Sequence, residues 1–452
     1  MPLHTYSSLI KEIDKSVCPS TIDKYLSLKR APMVLRQMAG AYPGHRQAVA
    51  HLTQELAVRT AHCLHCFSDP IVAKRMRWSS SARLRWVRQL SQREFAYSVA
   101  LQAVAAKYLD QAQAEPPLTQ VCGRDDVGWR SDRVQHTDDH AYVFDQSSDA
   151  FLKSHAKALT NGRGAAHAVA PIRTHEEARR ALLAETVDLQ DIPFHIALEY
   201  LRPNESLLDI LVNEAAVRSD ELNAWISVFC RNRVAWRVLH EHLMHVVRPS
   251  AAPVIVCDHT DVVGLLQQAA DEVVNIYSNL RTSADGSSVT VHIDEDDDIL
   301  RTTPPGMLFS SCDEEPKTVT AASPPVSAPV YSVVGHLSYI FRELLKNACV
   351  ASSKTAFDVT VNIKYAEDDQ WIVIDFIDQA GGIPAENGKN IWKFGWTTSD
   401  HYESHLGGFG VGLPTSKVYA DMWQGSINAY TQNGSTTVRV RFPKEPVEQL
   451  TA

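Results

Sequence analysis

The chain has 452 residues, of which 44% are hydrophobic and 21% charged, a composition typical of globular proteins with two or three domains. No apolar run reaches the ~20 residues that a membrane-spanning helix needs. The net charge of −9 argues against a general nucleic-acid binder, whose affinity comes from neutralising phosphates. Eight cysteines are too few for a disulfide scaffold and indicate a reducing compartment. The sequence therefore predicts neither a nucleic-acid partner nor a membrane span.

The first half of the chain has helical periodicity. Residues 20–110 are rich in Ala, Leu and Arg, and "AVAHLTQELAVRTAHCLHCF" predicts an amphipathic helix. Residues 110–190 are irregular and are interpreted as an insertion with some helix. Helices are also predicted around "DIPFHIALEYL" and "ELNAWISVFCRNRVAWRVLHEHLMHVV". "RPSAAP" then ends the pattern, because prolines and small residues terminate helices, so we predict an all-helical bundle domain over residues 1–248.

Charge is unevenly distributed along the chain. Residues 1–100 contain 15 Lys+Arg and 6 Asp+Glu, a net charge of +9, which leaves −18 for the remainder. A basic N-terminal part is compatible with an acidic partner, although a solvated helix face gives the same pattern.

After residue 253 strands and helices are mixed. "SSVTVHIDE", "FDVTVNIKY" and "QWIVIDFID" read as strands, and "SINAYTQ" and "TTVRVRF" form a last pair around "NGS". Helices are predicted at "DVVGLLQQAADEVVNIYSNL" and "HLSYIFRELLKNACVASSK". The acidic, then Ser/Pro/Thr-rich tract at 294–328 predicts a mobile loop. The predicted fold class is thus α+β: a helical bundle, followed over residues 254–446 by an α/β sandwich with a mixed sheet.

Four glycines stand within six positions in "GGFGVG", directly before a helical pattern. Glycine costs conformational entropy on folding, so a cluster indicates one of two things. It marks either a turn that needs positive φ, or a loop whose bare N–H groups face an anion. The surrounding motifs decide between these readings.

The motif "ELLKNA" supplies groups suited to phosphoryl transfer. Glu343 and Asn347 lie four positions apart on one helix face, with Lys346 beside them. A carboxylate can accept a proton, an amide oxygen can ligate Mg²⁺, and an ammonium group can contact phosphate. On its own, the motif also fits an ordinary polar helix face.

Two more motifs complete an ordered set. In "IDQAGGIP", Asp378 ends an apolar strand and can accept the amino group of adenine, while the following glycines let a ring approach the backbone. "NGSTT" is a hairpin turn whose hydroxyls can close the back of a base pocket. This order of motifs resembles the nucleotide-binding fold shared by gyrase, the heat-shock chaperones, the mismatch-repair ATPases and the histidine kinases. The resemblance runs over residues 330–442.

A closer resemblance covers most of the chain. It rests on "QELAVRTAH", "NRVAWRVLHEH", "ELLKNA", "DQAGGIP", "WTTS", "GFGVGLPTSKVYA" and "QGSI". These motifs resemble the mitochondrial protein kinases of 2-oxoacid dehydrogenase complexes, namely the pyruvate dehydrogenase kinases and the branched-chain 2-oxoacid dehydrogenase kinase. The resemblance implies a Mg²⁺/ATP-dependent protein serine kinase that phosphorylates and inactivates the dehydrogenase subunit. It also implies docking on a lipoyl-bearing core subunit, a homodimer, and a mitochondrial matrix location, although the N-terminus gives no clear presequence.

The resemblance assigns a role to each matching residue. Glu343 is the implied general base, Asn347 the implied Mg²⁺ ligand, and Asp378 the implied acceptor for adenine. The implied ATP-binding set consists of Lys346, Asn347, Asp378, Gly382, Thr397, Thr398, Gly408, Phe409, Gly410, Val411, Gly412, Leu413 and Thr436. In this set the glycines form a hinged lid whose N–H groups bind phosphates, and Leu413 and Thr436 lie near the base.

The chain also departs from the family pattern. Ala380 replaces the first glycine of Asp-x-Gly-x-Gly, and Val350 stands where the family places a phosphate-contacting arginine. Both leave open a second hypothesis, a non-catalytic ATP-binding pseudokinase or docking module of the same complex. Tyr339, together with "GLPTS" and the short stretch after the last strand, favours the branched-chain kinase over the pyruvate-directed ones.

Overall fold

The computed structural model describes residues 19–40, 45–68, 82–111, 211, 220–248, 254–281, 288–310, 329–353, 358–398 and 410–450. The predicted insertion at 110–190 lies outside these residues from position 112 onward, as do the helix around "DIPFHIALEYL" and the lid residues Gly408 and Phe409. None of the helices in the described ranges is long and apolar enough to cross a membrane.

The described part of the first half is helical. Its helices are α1 (Pro19–Leu26), α2 (Leu35–Ala39), α3 (His45–His65), α4 (Ala82–Gln111) and α5 (Asp220–Val247). The α3 helix packs against both α4 and α5. Its amphipathic pattern holds up to Gln54, but every residue from Glu55 to Ala61 is buried. The prediction of an amphipathic helix with an exposed polar face is wrong for these two turns, because α3 is enclosed on all sides there.

The second half contains two sheets and three helices among the described residues. The elements are β1 (Val256–Cys257), α6 (Val262–Arg281), β2 (Val289–Glu295), β3 (Met307–Phe309), β4 (Ser332–Val333), α7 (Val334–Ser352), β5 (Val359–Glu367), β6 (Trp371–Asp378), α8 (Gly412–Met422), β7 (Ser426–Gln432) and β8 (Ser435–Pro443). Strands β1 and β4 form a small pair, and the main sheet has the order β2-β5-β6-β8-β7-β3. Only β2 and β5 run parallel within the described sheet. The predicted α+β class with a mixed sheet is confirmed.

The two faces of the main sheet differ, as the alternation in β6 dictates. Ile374 and Phe376 point to one face and belong to a core that they share with α6 and α7. Asp375 points to the other face, where both of its oxygens accept bonds of 2.7 Å from the Arg439 guanidinium on β8. A fork-to-fork contact of this kind fixes the geometry of both side chains.

Part of the tract predicted as a mobile loop has regular structure. Strand β2 extends to Glu295, a 3₁₀ turn covers Asp297–Leu300, and β3 follows at the other edge of the sheet. Ile299 is buried, and Arg439 donates a hydrogen bond to the Thr302 carbonyl. The loop prediction is corrected for residues 294–310, because these outer-face contacts hold an acidic stretch whose composition alone suggested disorder.

The helical half and the sheet half share packing. Val418, Met422 and Trp423, on and directly after α8, belong to one core cluster with the buried side chains of α3, α4 and α5. The α8 helix therefore lies between the helical bundle and the sheet. The domain limits of 1–248 and 254–446 stay a prediction.

Residues 444–450, here called the C-terminal segment, fasten the two halves together. Glu448 is buried, and its carboxylate accepts two bonds of 2.6 Å from the Arg59 guanidinium of α3. The Glu448 N–H also donates to the Met33 carbonyl at 2.7 Å. On the opposite side, the Gln449 N–H donates to the Met422 carbonyl at 2.8 Å. This segment thus connects α3 to the end of α8.

Candidate functional site

The α7 helix places three polar side chains next to one another. Its buried positions recur every three or four residues and face the core between the main sheet, α6 and α7, here called the second core, which leaves the remaining stripe towards the site. On that stripe Glu343 Oε1 accepts a hydrogen bond of 2.8 Å from Lys346 Nζ, and Glu343 Oε2 lies 2.7 Å from the same nitrogen in an ion pair. Asn347 lies on the same face and is exposed. The structure therefore brings Glu343, Lys346 and Asn347 together, as the spacing predicts.

The start of α8 lies directly against the Glu343 carboxylate. A Cβ atom added at Gly412 would stand 2.1 Å from Glu343 Oε2, so any other residue at this position would displace the carboxylate. The first N–H groups of a helix lack intrahelical acceptors, and the positive end of the helix dipole favours an anion there. The Glu343 carboxylate and the beginning of α8 consequently form one continuous polar site.

A second glycine contact anchors the segment before α8. Gly410 has a φ of +70°, and its carbonyl accepts a bond of 2.9 Å from the Gly395 N–H. A Cβ at position 410 would come within 2.5 Å of the Trp396 carbonyl oxygen. Thr397 and Thr398, two members of the implied ATP-binding set, follow this contact directly in sequence, which places their hydroxyl groups beside the start of α8. Sequence reasoning missed Gly395, although a glycine just before "WTTS" was a usable signal.

Val411, directly before α8, and Leu413, on the first turn of α8, pack against different cores. Val411 packs against the core that α8 shares with the helical bundle, and Leu413 packs against the second core, under the main sheet. Both are partly buried, so neither side chain is free to follow a moving loop. The part of the lid that begins at Gly410 is therefore fixed by packing.

Asp378 lies at the end of β6 as predicted, opposite Thr436 on β8. Burial raises the pKa of the Asp378 carboxyl to about 6, and the bonds from the Ala380 N–H and the Thr436 hydroxyl oppose this shift. The Ala380 N–H lies 2.9 Å from Asp378 Oδ1. Ala380 is not among the residues with positive φ, so its Cβ is accommodated without backbone strain. Asp378 is a buried acceptor that can take a further hydrogen bond from a ligand.

The turn after Asp378 uses its two glycines differently. Gly381 and Gly382 have φ values of +96° and +84°. A Cβ at Gly381 would meet nothing within 4 Å, whereas one at Gly382 would stand 2.6 Å from Thr431 Cγ2. The Thr431 hydroxyl also accepts a bond from the Ile383 N–H. The structure thus shows Gly382 packed against Thr431, a residue that sequence reasoning missed, and open space at Gly381.

The α7 helix joins the two parts of the site. Cys349 is fully buried, and its pKa is raised to about 12 by burial and by the nearby Asp378 charge. Glu343 and Cys349 are six residues apart, which is roughly 9 Å along a helix. A ligand lying along α7 can therefore contact the buried acceptor at one end and the α8 N-terminus with Lys346 at the other. These groups suit a molecule with a hydrogen-bonding ring and an anionic tail.

Comparison with known families defines the class of this region. Residues 333–446 match the family described as "Histidine kinase-, DNA gyrase B-, and HSP90-like ATPase". This part of the chain, from β4 to the start of the C-terminal segment, is therefore similar to that ATPase family, and the predicted resemblance to its fold is confirmed.

Comparison with individual curated proteins gives a more specific resemblance, to protein kinases. Pyruvate dehydrogenase (acetyl-transferring) kinase isozyme 1, mitochondrial, of Mus musculus is 29% identical over 152 residues, which cover 30% of this chain and 35% of that protein. The corresponding isozyme 4 of Mus musculus is 30% identical over 136 residues, covering 26% of this chain and 32% of that protein. The chain thus matches about a third of the length of these relatives. The similarity predicted from the motifs is confirmed for that part.

Proposed function

We propose that the chain is a Mg²⁺/ATP-dependent protein serine kinase that phosphorylates and inactivates the dehydrogenase subunit of a 2-oxoacid dehydrogenase complex. The observation that carries the proposal is the Glu343 carboxylate, held by Lys346 against the N-terminus of α8. A proton acceptor next to an anion-binding helix terminus is what transfer from a nucleotide to a hydroxyl requires. The names of the relatives, which are kinases of pyruvate dehydrogenase, supply the substrate class.

The residues present fit ATP and Mg²⁺. Gly412 leaves space at the α8 N-terminus that a Cβ would fill, and Asn347 exposes its amide oxygen one turn from Glu343. In the proposal Asn347 ligates Mg²⁺, Asp378 accepts the adenine amino group, and Lys346 with the lid N–H groups binds the phosphates. When bound, Mg²⁺ neutralises the charge that develops on the β- and γ-phosphates.

The transfer step then follows from the position of Glu343. Its carboxylate accepts the proton of the substrate serine hydroxyl as the serine oxygen bonds to the γ-phosphorus. The bond between that phosphorus and the bridging oxygen breaks, and ADP leaves. Lys346 Nζ lies within 2.8 Å of both carboxylate oxygens and holds the base in position for the serine hydroxyl.

The test is incubation of the full chain with Mg²⁺, ATP and either purified pyruvate dehydrogenase complex or purified branched-chain 2-oxoacid dehydrogenase complex. We expect phosphoserine on the dehydrogenase subunit of one complex, together with loss of its activity. The resemblance of Tyr339 and "GLPTS" favours the branched-chain complex, while the relatives described above favour the pyruvate complex. No phosphorylation of either complex by a chain that binds ATP would contradict the proposal.

One observation supports the alternative that the chain binds ATP without catalysing transfer. Val350 is only partly buried and packs against the second core, at the position where the resemblance implies a phosphate-contacting arginine. A chain that lacks one phosphate contact can still bind ATP and act as a pseudokinase or docking module. ATP binding without any transfer, in the experiment above, would favour this alternative.

We also propose that the helical half docks on the lipoyl-bearing core subunit of the complex, in the mitochondrial matrix. The similarity to mitochondrial kinases supports the location, and the basic residues 1–100 suit an acidic domain surface. A pull-down with lipoylated and unlipoylated domains tests the docking, and retention of neither would contradict it. Cell fractionation tests the location.

A homodimer through the main sheet is proposed as well. On β8, Thr437, Arg439 and Arg441 alternate towards the outer face and are partly buried. Arg439 is already bound to Asp375 within the sheet, so the proposed contact with a second copy does not depend on it. Light scattering that gives the mass of a single chain at micromolar concentration would contradict a dimer.

Replacing Asn347 with alanine is expected to weaken Mg²⁺-dependent ATP binding by about tenfold to a hundredfold, which is the loss of one contact to a charged group. Calorimetry with and without Mg²⁺ measures the effect. Asn275→Ala, at an exposed asparagine of α6, is the matched control and should bind ATP as the unaltered chain does. An equal Mg²⁺ dependence of ATP binding in both variants would contradict the assignment of Asn347 as a Mg²⁺ ligand.

ATP affinity is expected to fall as the pH decreases through about 6. The ionised Asp378 carboxylate accepts more strongly from the adenine amino group than the protonated form does, and its raised pKa means that it takes up a proton in this range. At pH 5 only about a tenth of the carboxyl groups are ionised, so affinity should be about tenfold lower than at pH 8. Because ATP also titrates, the quantity to measure is the ratio of affinities of the unaltered chain and Asp378→Asn. A ratio that does not change with pH would contradict the assignment.

A further inference from the structure

The α7 and α8 helices pack against each other in opposite directions along a seam. At one end of the seam, Glu343 meets Gly412. At the other end, His336 on the first turn of α7 meets Tyr419 and Trp423 at the end of α8. In the middle, the Tyr339 ring packs edge-on against Tyr419, with centroids 5.2 Å apart. The seam therefore runs from the buried aromatic end to the catalytic end.

The aromatic end is held by a directional contact. Trp423 Nε1–H donates a 3.0 Å hydrogen bond to His336 Nδ1, and both residues are buried. The His336 ring also stacks on Tyr419, with a centroid distance of 4.2 Å and an interplanar angle of 10°. Burial, followed by the nearby Arg237 charge, lowers the pKa of His336 to about 3, so the ring is neutral and keeps Nδ1 as an acceptor.

The packing around this end leaves little freedom for α8 to move. Trp423 belongs to the core shared with the helical bundle, while Leu337 and Ile340 beside His336 belong to the core under the sheet. A small apolar cavity next to the seam is lined by side chains that include His336, Tyr419 and Trp423. The hydrogen bond consequently selects one rotation of α8 where apolar packing alone would allow several.

We propose that His336 and Trp423 are positioning residues, which act through the α7–α8 seam to set the distance between the Glu343 carboxylate and Gly412. This inference rests on the proposed function. Gly412 is within contact distance of Glu343, so a small rotation of α8 changes where the helix N–H groups stand relative to the base. A displacement of about 1 Å in a transfer site costs up to a hundredfold in rate.

The test compares two substitutions at His336. In His336→Asn, the Oδ1 atom has the same bonded position as Nδ1 and still accepts from Trp423, whereas His336→Leu leaves that buried N–H without an acceptor. We expect His336→Leu to lower kcat about tenfold to a hundredfold, and His336→Asn to recover most of the loss.

Trp423→Phe should reproduce the His336→Leu effect, because it removes the donor. The matched control is Trp225→Phe, since the Trp225 indole donates a comparable bond of 2.7 Å to the Cys66 carbonyl within the helical bundle. That control should lose stability but keep kcat within about twofold. Equal losses of kcat in Trp423→Phe and Trp225→Phe would overturn the proposal, because a general loss of stability would then explain both.

Hydrogen exchange provides a readout that does not depend on catalysis. Amides of α8 from Thr415, whose N–H donates to the Val411 carbonyl, should exchange faster in His336→Leu than in His336→Asn or Trp225→Phe. If the unaltered chain transfers no phosphate, the proposed function fails while this measurement still decides the seam. Unchanged exchange at the start of α8 in His336→Leu would overturn the positioning role whatever the activity.

Discussion

Replacing Glu343 with glutamine is expected to lower phosphate transfer by about 10²–10⁴-fold, the usual cost of removing a general base. Glutamine keeps the size of the side chain but cannot take up the serine proton. ATP affinity should stay within about threefold, because the proposed nucleotide contacts belong to Lys346, Asp378 and the α8 N-terminus. The measurement is phosphate incorporation into the dehydrogenase subunit alongside calorimetric ATP affinity.

The matched control for this substitution is Glu445→Gln, which changes an exposed carboxylate paired with Arg36. It should transfer phosphate at the unaltered rate. Full activity of Glu343→Gln would show that another group is the base. A loss of ATP affinity as large as the loss of transfer would instead assign Glu343 to binding and not to catalysis.

Replacing Arg59 with methionine is expected to destabilise the protein by about 3–5 kcal/mol, the effect of removing one partner from a buried ion pair. Two carboxylates would lose their counterion, since Glu448 lies 2.6 Å and Glu55 3.6 Å from the Arg59 guanidinium. Burial already raises the pKa of Glu55, and Arg59 is the main charge that opposes this shift. The free energy of unfolding in urea measures the change.

Arg36→Met is the control for this prediction. Arg36 joins α2 to Glu445 of the same C-terminal segment, but both side chains are more than half exposed, so the pair should contribute no more than about 1 kcal/mol. A comparable loss in the two variants would mean that the buried network has no special weight. It would also mean that the contact between α3 and the C-terminal segment is maintained by apolar packing.

The part of the fold that could be predicted depends on local pattern. Alternation defines β5 and β8, apolar runs mark β6, and the spacing of buried residues defines α7, so these elements follow from neighbours in sequence. The burial of Glu55 and Arg59 could not be predicted, since their partner Glu448 is 389 positions beyond Arg59. Composition also misassigned residues 294–310, because the contacts that order them come from β5, β6 and β8.

The candidate site shows the same division. Glu343 and Lys346 share one helix turn, so their pairing follows from spacing alone. The approach of Gly412 to Glu343 depends instead on how α8 crosses α7, which no periodicity encodes. The contact between Gly395 and Gly410 likewise closes a segment whose ends are fifteen residues apart. Resemblance to a family pointed to the glycines, but only the packing explains why each one is needed.

The core that α8 shares with the helical bundle has a consequence for cooperativity. Because Val418, Met422 and Trp423 pack among side chains of α3, α4 and α5, neither half can melt at this junction without exposing apolar surface of the other. Binding energy supplied at the α8 N-terminus is therefore distributed over both halves, and we expect a bound nucleotide to protect the helical bundle against proteases without contacting it.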